Sequence, residues 1–464
     1  MNLLAAIPGI LLPAAIGWLT VGLIAHRAVL TKMEHASWSL ILGPTLSMLV
    51  VFLLAGAGLT NFSLAGFLVP LILLLLILGG LAWKRRCLLP AYTVPAPFTL
   101  PTGWVRYAVI IFGLWTALKL LAGAYDLASV PTYWDDSFNN WNMRGKIFYE
   151  MQLPVLEIPV GNGVVQTAQG VSSYPPSLPL FKTWLSVIRG SWQEPLVNGV
   201  HLVWLAGLLL TFYVTLRRRY DALTALFGTC LLVSLPLVLI QSMNPYAEIF
   251  VASHLLLTVT ALFHAAEAEE EGHAGAWMRL SGLSLGLLLF TKNEATVLYA
   301  PILLALAALT LTTLRRRGID VRKTAIAALA LFALLALPWI AFKWMNGLTF
   351  GNAKAVSGVA LGFSGKALFA IWHHLSHEPN EMLLPLALPL ALLASGRKAL
   401  RMPEAVLTLF VIGAVGLQLL LFLFVGALET EAVMQTGLSR GLVQVSPVAL
   451  LLLILLVERM RRAE

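Results

Sequence analysis

Charged residues are scarce in this sequence. Asp, Glu, Lys and Arg make up 11% of its 464 residues, whereas 59% are hydrophobic, and the mean hydropathy is +0.84. Soluble domains contain about a quarter charged residues, and a soluble fold of this length would need far more polar surface. The composition therefore excludes an ordinary soluble protein and predicts an integral membrane protein.

Cysteine is also scarce, and the first apolar block is not typical of a cleavable leader. The spacing of Cys87 and Cys230 fits neither a disulfide framework nor a metal site. Residues 3–24 lack the basic first part and the clear cleavage site of a signal peptide. Because they are long enough to span, we expect a retained first helix.

Long apolar blocks recur along the chain. Residues 64–83 and 107–125 are each about 20 residues long, the length of a helix that crosses the hydrocarbon core. The blocks predict an all-α polytopic membrane protein with about 13 transmembrane helices. The predicted helices begin near residues 3, 38, 64, 107, 196, 222, 249, 280, 295, 324, 382, 404 and 441. The block at 280–291 is short, so we expect a broken or tilted helix there.

Basic clusters set the direction of these spans. All six clusters fall on one side, which the positive-inside rule makes cytoplasmic. They lie at 26–32, 84–86, 217–219, 315–323, 397–401 and 459–462. Topology thus explains the net charge of +9, and no nucleic-acid partner is needed. Residues 356–375 would reverse the last clusters if they crossed, so we expect an interfacial or re-entrant helix on the outer side.

The longest outer loop, residues 126–195, contains PTYWDDSFNNWNMRGKIFYE at 131–150. Asp135 and Asp136 directly follow a span, where carboxylates are costly unless they are solvated or used. The alternative is that they only cap the next helix. The apolar spacing from 138 to 148 predicts an amphipathic helix on the membrane surface.

Two other outer segments place polar residues at helix starts. Tyr174 precedes Pro175 and Pro176, which suit the first turn of a helix or a rigid turn before one. Glu248 begins a span, where a glutamate is often only a partner of the helix dipole.

Outer cations are the remaining candidates. Lys292, Asn293 and Glu294 lie together between two apolar blocks, which favours a polar-lined cavity, although snorkelling alone could account for the lysine. Arg440 lies at the outer end of the last span, against the positive-inside trend. It is either an anion ligand or an interfacial anchor.

The acidic and basic residues on the outer side suit one reaction, the transfer of a sugar from a lipid phosphate to an acceptor. A carboxylate would deprotonate an acceptor hydroxyl, which attacks the anomeric carbon of a sugar. Positive charge from Lys, Arg or a metal ion would stabilise the departing phosphate.

The order of four motifs resembles the GT-C superfamily of membrane glycosyltransferases, in the branch of protein O-mannosyltransferases and lipid A aminoarabinose transferases. The motifs are YWDDSFNNWNMRGKIFYE, YPPSLPLFKTWL, FTKNEA and SRGLVQVSP. The resemblance covers roughly 107–458. In that family the acidic loop normally follows the first helix, so we expect residues 1–83 to be an N-terminal three-helix addition to a core at 84–458.

The resemblance implies an inverting glycosyltransferase of the bacterial inner membrane with its active site facing the periplasm. It would move a sugar from a polyprenyl-phosphate lipid to a lipid, glycan or protein acceptor. Asp135 takes the place of the catalytic base and Asp136 a supporting place. Because the pair here is Asp-Asp rather than Asp-Glu, which of them acts stays open.

The remaining roles also follow from the resemblance and from the position of the residues. Lys292 and Arg440 would bind the donor phosphate, and Glu248 would orient the acceptor or a metal. The substrate-lining residues would be Tyr174, Asn293 and Glu294.

Three further possibilities stay open. The sequence indicates no particular cofactor, and a divalent cation, Mg²⁺ or Mn²⁺, would fit the acids. His373 and His377 lie four residues apart beside Glu378, a weak metal pattern that headgroup-level histidines also produce. The rival functions are a transporter or flippase for a lipid-linked sugar, which would show internal repeats, and an O-antigen ligase or polymerase, which would carry its large loop later in the chain.

Overall fold

The computed structural model describes residues 6–25, 29–88, 92, 102–132, 136–156, 158–160, 163–165, 171–350 and 361–462. Within these residues the protein is helical apart from one short hairpin. The hairpin pairs β1 (Ile158–Val160) with β2 (Gly163–Val165), antiparallel, with Ile158 opposite Val165. It lies in the predicted outer loop.

Nineteen α-helices follow one another along the described residues. They are α1 (Ala6–Ala25), α2 (Lys32–Gly56), α3 (Leu64–Lys84), α4 (Trp104–Ser129), α5 (Met143–Met151), α6 (Ser177–Arg189), α7 (Glu194–Asn198), α8 (Val200–Arg217), α9 (Ala222–Ser234), α10 (Pro236–Met243), α11 (Glu248–Glu267), α12 (Glu271–Leu288), α13 (Ala300–Arg316), α14 (Arg322–Met345), α15 (Gly365–Ser376), α16 (Leu384–Ser395), α17 (Glu404–Phe424), α18 (Glu429–Val433) and α19 (Thr436–Arg461).

Shorter helical turns connect some of these helices. Two are π-helical, Ser137–Asn142 before α5 and Ala295–Tyr299 before α13. The 3₁₀ turns are Val171–Ser173, Pro379–Glu381, Gly396–Leu400 and Gly426–Leu428.

Within the described part of the chain, ten helical segments are long and apolar enough to cross a membrane, and the bent pair α9–α10 makes eleven. The predicted count of about 13 is therefore not confirmed. The difference lies at the segments predicted to begin at 280 and 382. Charged residues, among them Glu271 and Arg279, reduce the apolar character of α12, and α16 has only 12 residues.

The segment predicted as a surface or re-entrant helix contains α15. This helix has 12 residues, too few to cross alone. Residues 351–360 lie outside the described residues.

Local sequence signals account for the ends of several helices. Thr31 and Glu34 form a capping box at the start of α2, and Asp221 caps α9. Pro236 disfavours a helical conformation at Leu235, which has φ −60° and ψ 115°. This break bends α9 against α10 by 66°.

Helix α11 lies at the centre of the bundle and is fully enclosed by other helices. It packs against α8, α12, α13, α17 and α19. The first three helices also join this bundle. Thr45 in α2 lies 3.0 Å from His254 in α11, and Trp184 donates to the carbonyl of Gly9 in α1 at 2.8 Å. Helices α1 and α2 are therefore packed onto the core.

Charged residues from several predicted basic clusters meet at one end of the bundle. Arg218 binds Glu34 at 2.8 Å, and Glu404 lies 4.0 Å from Arg219 and 3.5 Å from Arg459. We call this region the basic end. The candidate site lies at the opposite end of the same helices.

Candidate active site opposite the basic end

Five charged side chains form a continuous series of ion pairs. Lys292 Nζ lies 2.8 Å from both Glu294 Oε1 and Glu248 Oε1. Arg440 Nε lies 2.5 Å from the same Glu248 oxygen, and Arg440 Nη1 lies 2.5 Å from Asp136 Oδ2. We call Glu294, Lys292, Glu248, Arg440 and Asp136 the ion-pair chain.

The ion-pair chain is buried in the middle and open at both ends. The Glu248 side chain has no exposed surface and that of Lys292 is 2% exposed, whereas those of Asp136 and Glu294 are 37% and 41% exposed. A fixed buried centre with accessible carboxylates suits a site that binds polar ligands from solvent.

Breaks in helices place these residues together. Glu248 is the first residue of α11, and Lys292 and Glu294 lie in the turn that follows α12. Asp136 and Glu294 each stand immediately before a π-helical segment. Such segments occur often at functional sites because they redirect side chains.

Helix capping, pairing with the helix dipole and snorkelling do not account for the contacts of Asp136, Glu248 and Lys292. Asp136 precedes a helix but makes no side-chain capping bond. Glu248 binds two cations in addition to its position at a helix start, and Lys292 points into the protein rather than snorkelling outward. Glu248 is bound directly to Lys292, and Asp136 is joined to Glu248 through Arg440.

Electrostatics hold Lys292 in its charged form. Burial acts to lower its pKa, but the carboxylates of Glu248 and Glu294 outweigh that effect and the pKa is raised. Burial also raises the pKa of Tyr246 to about 12, and its ring lies 4.8 Å from the guanidinium carbon of Arg440. At neutral pH the lysine is therefore a cation and the tyrosine a neutral hydroxyl.

Tyr174 lies beside this site, and sequence reasoning missed two cations next to it. Arg144 Nη2 donates to the Tyr174 carbonyl at 3.0 Å, and Lys343 Nζ donates to the Ser173 carbonyl at 2.7 Å. Lys343 also donates to Asn293 Oδ1 at 2.6 Å. Both cations are buried, and neither pairs with a carboxylate among the residues that the structure describes.

A signal for these cations was present in the sequence. Arg144 and Lys343 both lie on the outer side of the predicted topology, against the positive-inside trend. That criterion selected Arg440 and could equally have selected them.

Asp135 lies outside the described residues, but the chain on both sides of it is anchored. Asn198 donates to Thr132 Oγ1 at 2.9 Å and accepts from Asn142 Nδ2 at 3.1 Å. Lys182, fully buried, donates to Asn142 Oδ1 and to Asn198 Oδ1. Burial lowers the pKa of Lys182 well below its usual range. These amides fix where the acidic motif begins and where its helix continues.

The predicted histidine pair lies at the end of α15. The rings of His373 and His377 stack at 5.3 Å, but His377 Nδ1 lies 2.7 Å from Ser376 Oγ. The potential metal ligands that converge are His373, His374 and Glu378. The pairing of His373 with His377 as metal ligands stays a prediction.

The described helices, ten or eleven of them able to cross a membrane, define a polytopic membrane protein. Its structure is similar to the crystal structure of ArnT from Cupriavidus metallidurans bound to undecaprenyl phosphate, with a TM-score of 0.55 and 13% sequence identity. The match covers 76% of this chain and 61% of that chain, so this chain corresponds to about three fifths of the length of ArnT.

This likeness confirms the predicted fold. No protein-family model matches the sequence, and no curated protein matches it.

Proposed function

We propose that this protein is a glycosyltransferase that moves a sugar from a polyprenyl-phosphate lipid to an acceptor at the end of the bundle that carries the ion-pair chain. The observation that carries the proposal is the ion-pair chain itself, built at helix breaks in a GT-C fold. The similar structure contains undecaprenyl phosphate, a lipid of the proposed donor class.

The proposed reaction is a single displacement with inversion. Asp135 accepts the proton of an acceptor hydroxyl as its oxygen forms a bond to the anomeric carbon. The bond between that carbon and the phosphate oxygen breaks, and the electron pair leaves with the lipid phosphate. Asp136 is bound to Arg440, so it supports the geometry while Asp135 acts as the base.

Charge determines how the phosphate would be held. The ion-pair chain contains three carboxylates and two cations, so alone it disfavours another anion. Arg144 and Lys343 add two basic side chains beside Ser173 and Asn293. We propose that they share the donor phosphate with Lys292 and Arg440.

Glu248 has a positioning role in this proposal. One carboxylate oxygen, Oε1, contacts both Lys292 and Arg440 and holds the two cations at a fixed separation. We also propose that Glu248 helps to orient the acceptor, together with the neighbouring side chain of Tyr246.

The test is sugar transfer by purified protein in lipid bilayers supplied with radiolabelled polyprenyl-phosphate sugars, one sugar at a time. We expect Asp135→Asn to lower kcat by at least about 100-fold, the usual contribution of a general base. Asp136→Asn should have a smaller effect. Asp126→Asn, at the end of α4 and outside the ion-pair chain, is the matched control and should retain activity.

Two results would refute the proposal. One is wild-type turnover in folded Asp135→Asn and Asp136→Asn proteins. The other is movement of the labelled lipid across the bilayer with no covalent product, which would favour a flippase instead.

A further inference from the structure

Three potential metal ligands converge at the end of α15, away from the ion-pair chain. Glu378 Oε1 lies 2.8 Å from His374 Nδ1 and 3.4 Å from His373 Nδ1. All three ligand atoms lie within 4.8 Å of one another. His374 and Glu378 lie four residues apart, a spacing at which side chains meet on a helix, and His373 turns toward the same carboxylate oxygen.

Hydrogen bonds alone do not satisfy His374. Its Nδ1 lies 2.8 Å from Glu378 Oε1, which can only accept if ionised, and 2.6 Å from the side-chain nitrogen of Gln435, which can only donate. One ring nitrogen cannot donate to the first and accept from the second at once. The other ring nitrogen, Nε2, is buried and has no partner among the described residues.

A metal ion would resolve this conflict. Zn²⁺ binds His nitrogen at about 2.0–2.1 Å and carboxylate oxygen at about 2.0–2.2 Å, which places two tetrahedral ligands about 3.4 Å apart. His373 Nδ1 and Glu378 Oε1 already have that separation, 3.4 Å. The His374 nitrogen, at 2.8 Å from the carboxylate, would move outward by about 0.6 Å to reach it.

The neighbouring surface leaves room for the ion and its remaining ligands. An open cavity of about 580 Å³ is lined by His373 and His374 together with Phe369 and Val433. The His373 side chain is 49% exposed, so an ion could enter from this cavity.

We propose that His373, His374 and Glu378 form a binding site for a divalent transition-metal ion of the Zn²⁺ class. Two imidazoles and one carboxylate are the ligand set of many zinc sites that keep one open position. The amide of Gln435 contacts both His374 and Glu378. Its nitrogen donates to Glu378 Oε2 and holds that carboxylate toward the site, and the fourth position is left to water.

Through Gln435, a bound ion would affect how two helices are joined. It precedes Thr436, the first residue of α19, and has a left-handed backbone with φ 58°. Asn380 Nδ2 also donates to Gln435 Oε1 at 3.0 Å and to Glu378 Oε2 at 2.8 Å. The bound ion would thus tie the end of α15 to the start of the helix that carries Arg440.

The experiment measures metal binding by the full chain, purified in detergent and stripped with a chelator. Equilibrium dialysis against Zn²⁺ followed by elemental analysis should give one bound ion per chain. Titration of Co²⁺ into the same protein should produce the intense visible absorption of a tetrahedral site. His374→Ala and Glu378→Gln should weaken binding at least tenfold and remove that absorption.

His377→Ala is the matched control, because His377 lies on the same helix end but outside the ligand set. It should bind metal as the wild type does. His373→Ala, at a half-exposed position that tolerates truncation, tests the site even if the variant at the less exposed His374 fails to fold.

The proposal is wrong if the wild-type protein binds no ion, if His373→Ala binds as tightly as the wild type, or if His377→Ala loses as much affinity as His373→Ala. None of these readouts depends on sugar transfer, so the metal site and the proposed function can fail separately.

Discussion

The carboxylate of Glu248 has no exposed surface and lies between two cations, which both contact the same one of its oxygens. Burying ions is costly, and the cost is recovered only while the partners stay in place. The three side chains therefore form a unit in which the loss of one leaves the others uncompensated.

We expect Glu248→Gln to destabilise the protein by about 3–5 kcal/mol, the range for breaking a buried ion pair. Glu294→Gln removes a carboxylate from the same lysine, but Glu294 is 41% exposed, so the loss should be below about 1 kcal/mol. The measurement is unfolding by SDS in mixed micelles. Equal effects of the two substitutions would contradict the assigned roles.

Glu381 should make stability depend on pH. Burial raises its pKa to about 7, and the hydrogen bond from Ser446 only partly offsets this. The folded protein therefore binds the proton more tightly than the unfolded chain. Stability should be greatest at low pH and should fall as the pH rises from about 4.5 to about 7, by up to roughly 3 kcal/mol, with no further fall from this residue.

The check is the thermal midpoint from pH 5 to pH 8. Wild type should lose stability relative to Glu381→Gln over this range. A constant difference between the two proteins at every pH would show that Glu381 does not titrate there.

The sequence predicted which residues carry charge at this site but not how they pair. Arg440, Lys292 and Glu248 stood out because each interrupts an apolar block on one side. Their shared contact depends on where α12 ends and where α19 begins relative to α11. Those long-range positions are set by packing, which local patterns do not encode.

At the scale of elements, helix crossings depend on a few glycines. Gly17 in α1 and Gly43 in α2 bring the two backbones into direct contact, and a Cβ on Gly17 would overlap the carbonyl oxygen of Ser39. Small residues permit such close helix packing in membranes.

We therefore expect Gly17→Ala to destabilise the protein. Gly80→Ala in α3 is the control, because a Cβ there meets nothing within 4 Å. Removing a glycine from an open helix position should be neutral or stabilising by up to about 1 kcal/mol. Thermal denaturation in detergent compares them, and a Gly17→Ala protein as stable as the wild type would refute the close crossing.

The segment around α16 shows why a hydropathy window does not define every membrane segment. The segment around α16 has Glu381 beside Ser446 and Lys398 beside Arg459, two positions of α19 about 20 Å apart along the helix. It thus runs along about 20 Å of α19, although α16 alone is short. Hydropathy averaged over a window of fixed length does not detect that this helix breaks into 3₁₀ turns at both ends.

For the whole molecule, the charge-based topology makes a direct prediction. Arg316→Cys and Arg462→Cys should be protected from a membrane-impermeant maleimide in intact cells, whereas Asn346→Cys should be labelled. The two native cysteines are buried and should give little background. Equal labelling of Arg316→Cys and Asn346→Cys would place both loops on one side and overturn the assignment.

The sequence predicted the membrane class, the all-helical bundle and the GT-C fold, because composition and the order of motifs act over the whole chain. It did not yield the π-helical breaks, since no residue pattern distinguishes them from an ordinary helix. The N-terminal residues 1–83 remain a predicted addition to the core, although α1 and α2 pack directly onto it.

The last helix supplies the only arginine of the ion-pair chain, and this affects biosynthesis. A nascent chain that enters the membrane from its N-terminus inserts Asp136, Glu248, Lys292 and Glu294 before Arg440 emerges from the ribosome. Until then, one lysine faces three carboxylates. The ion-pair chain therefore reaches its final charge balance only after α19 has been made and has entered the bilayer.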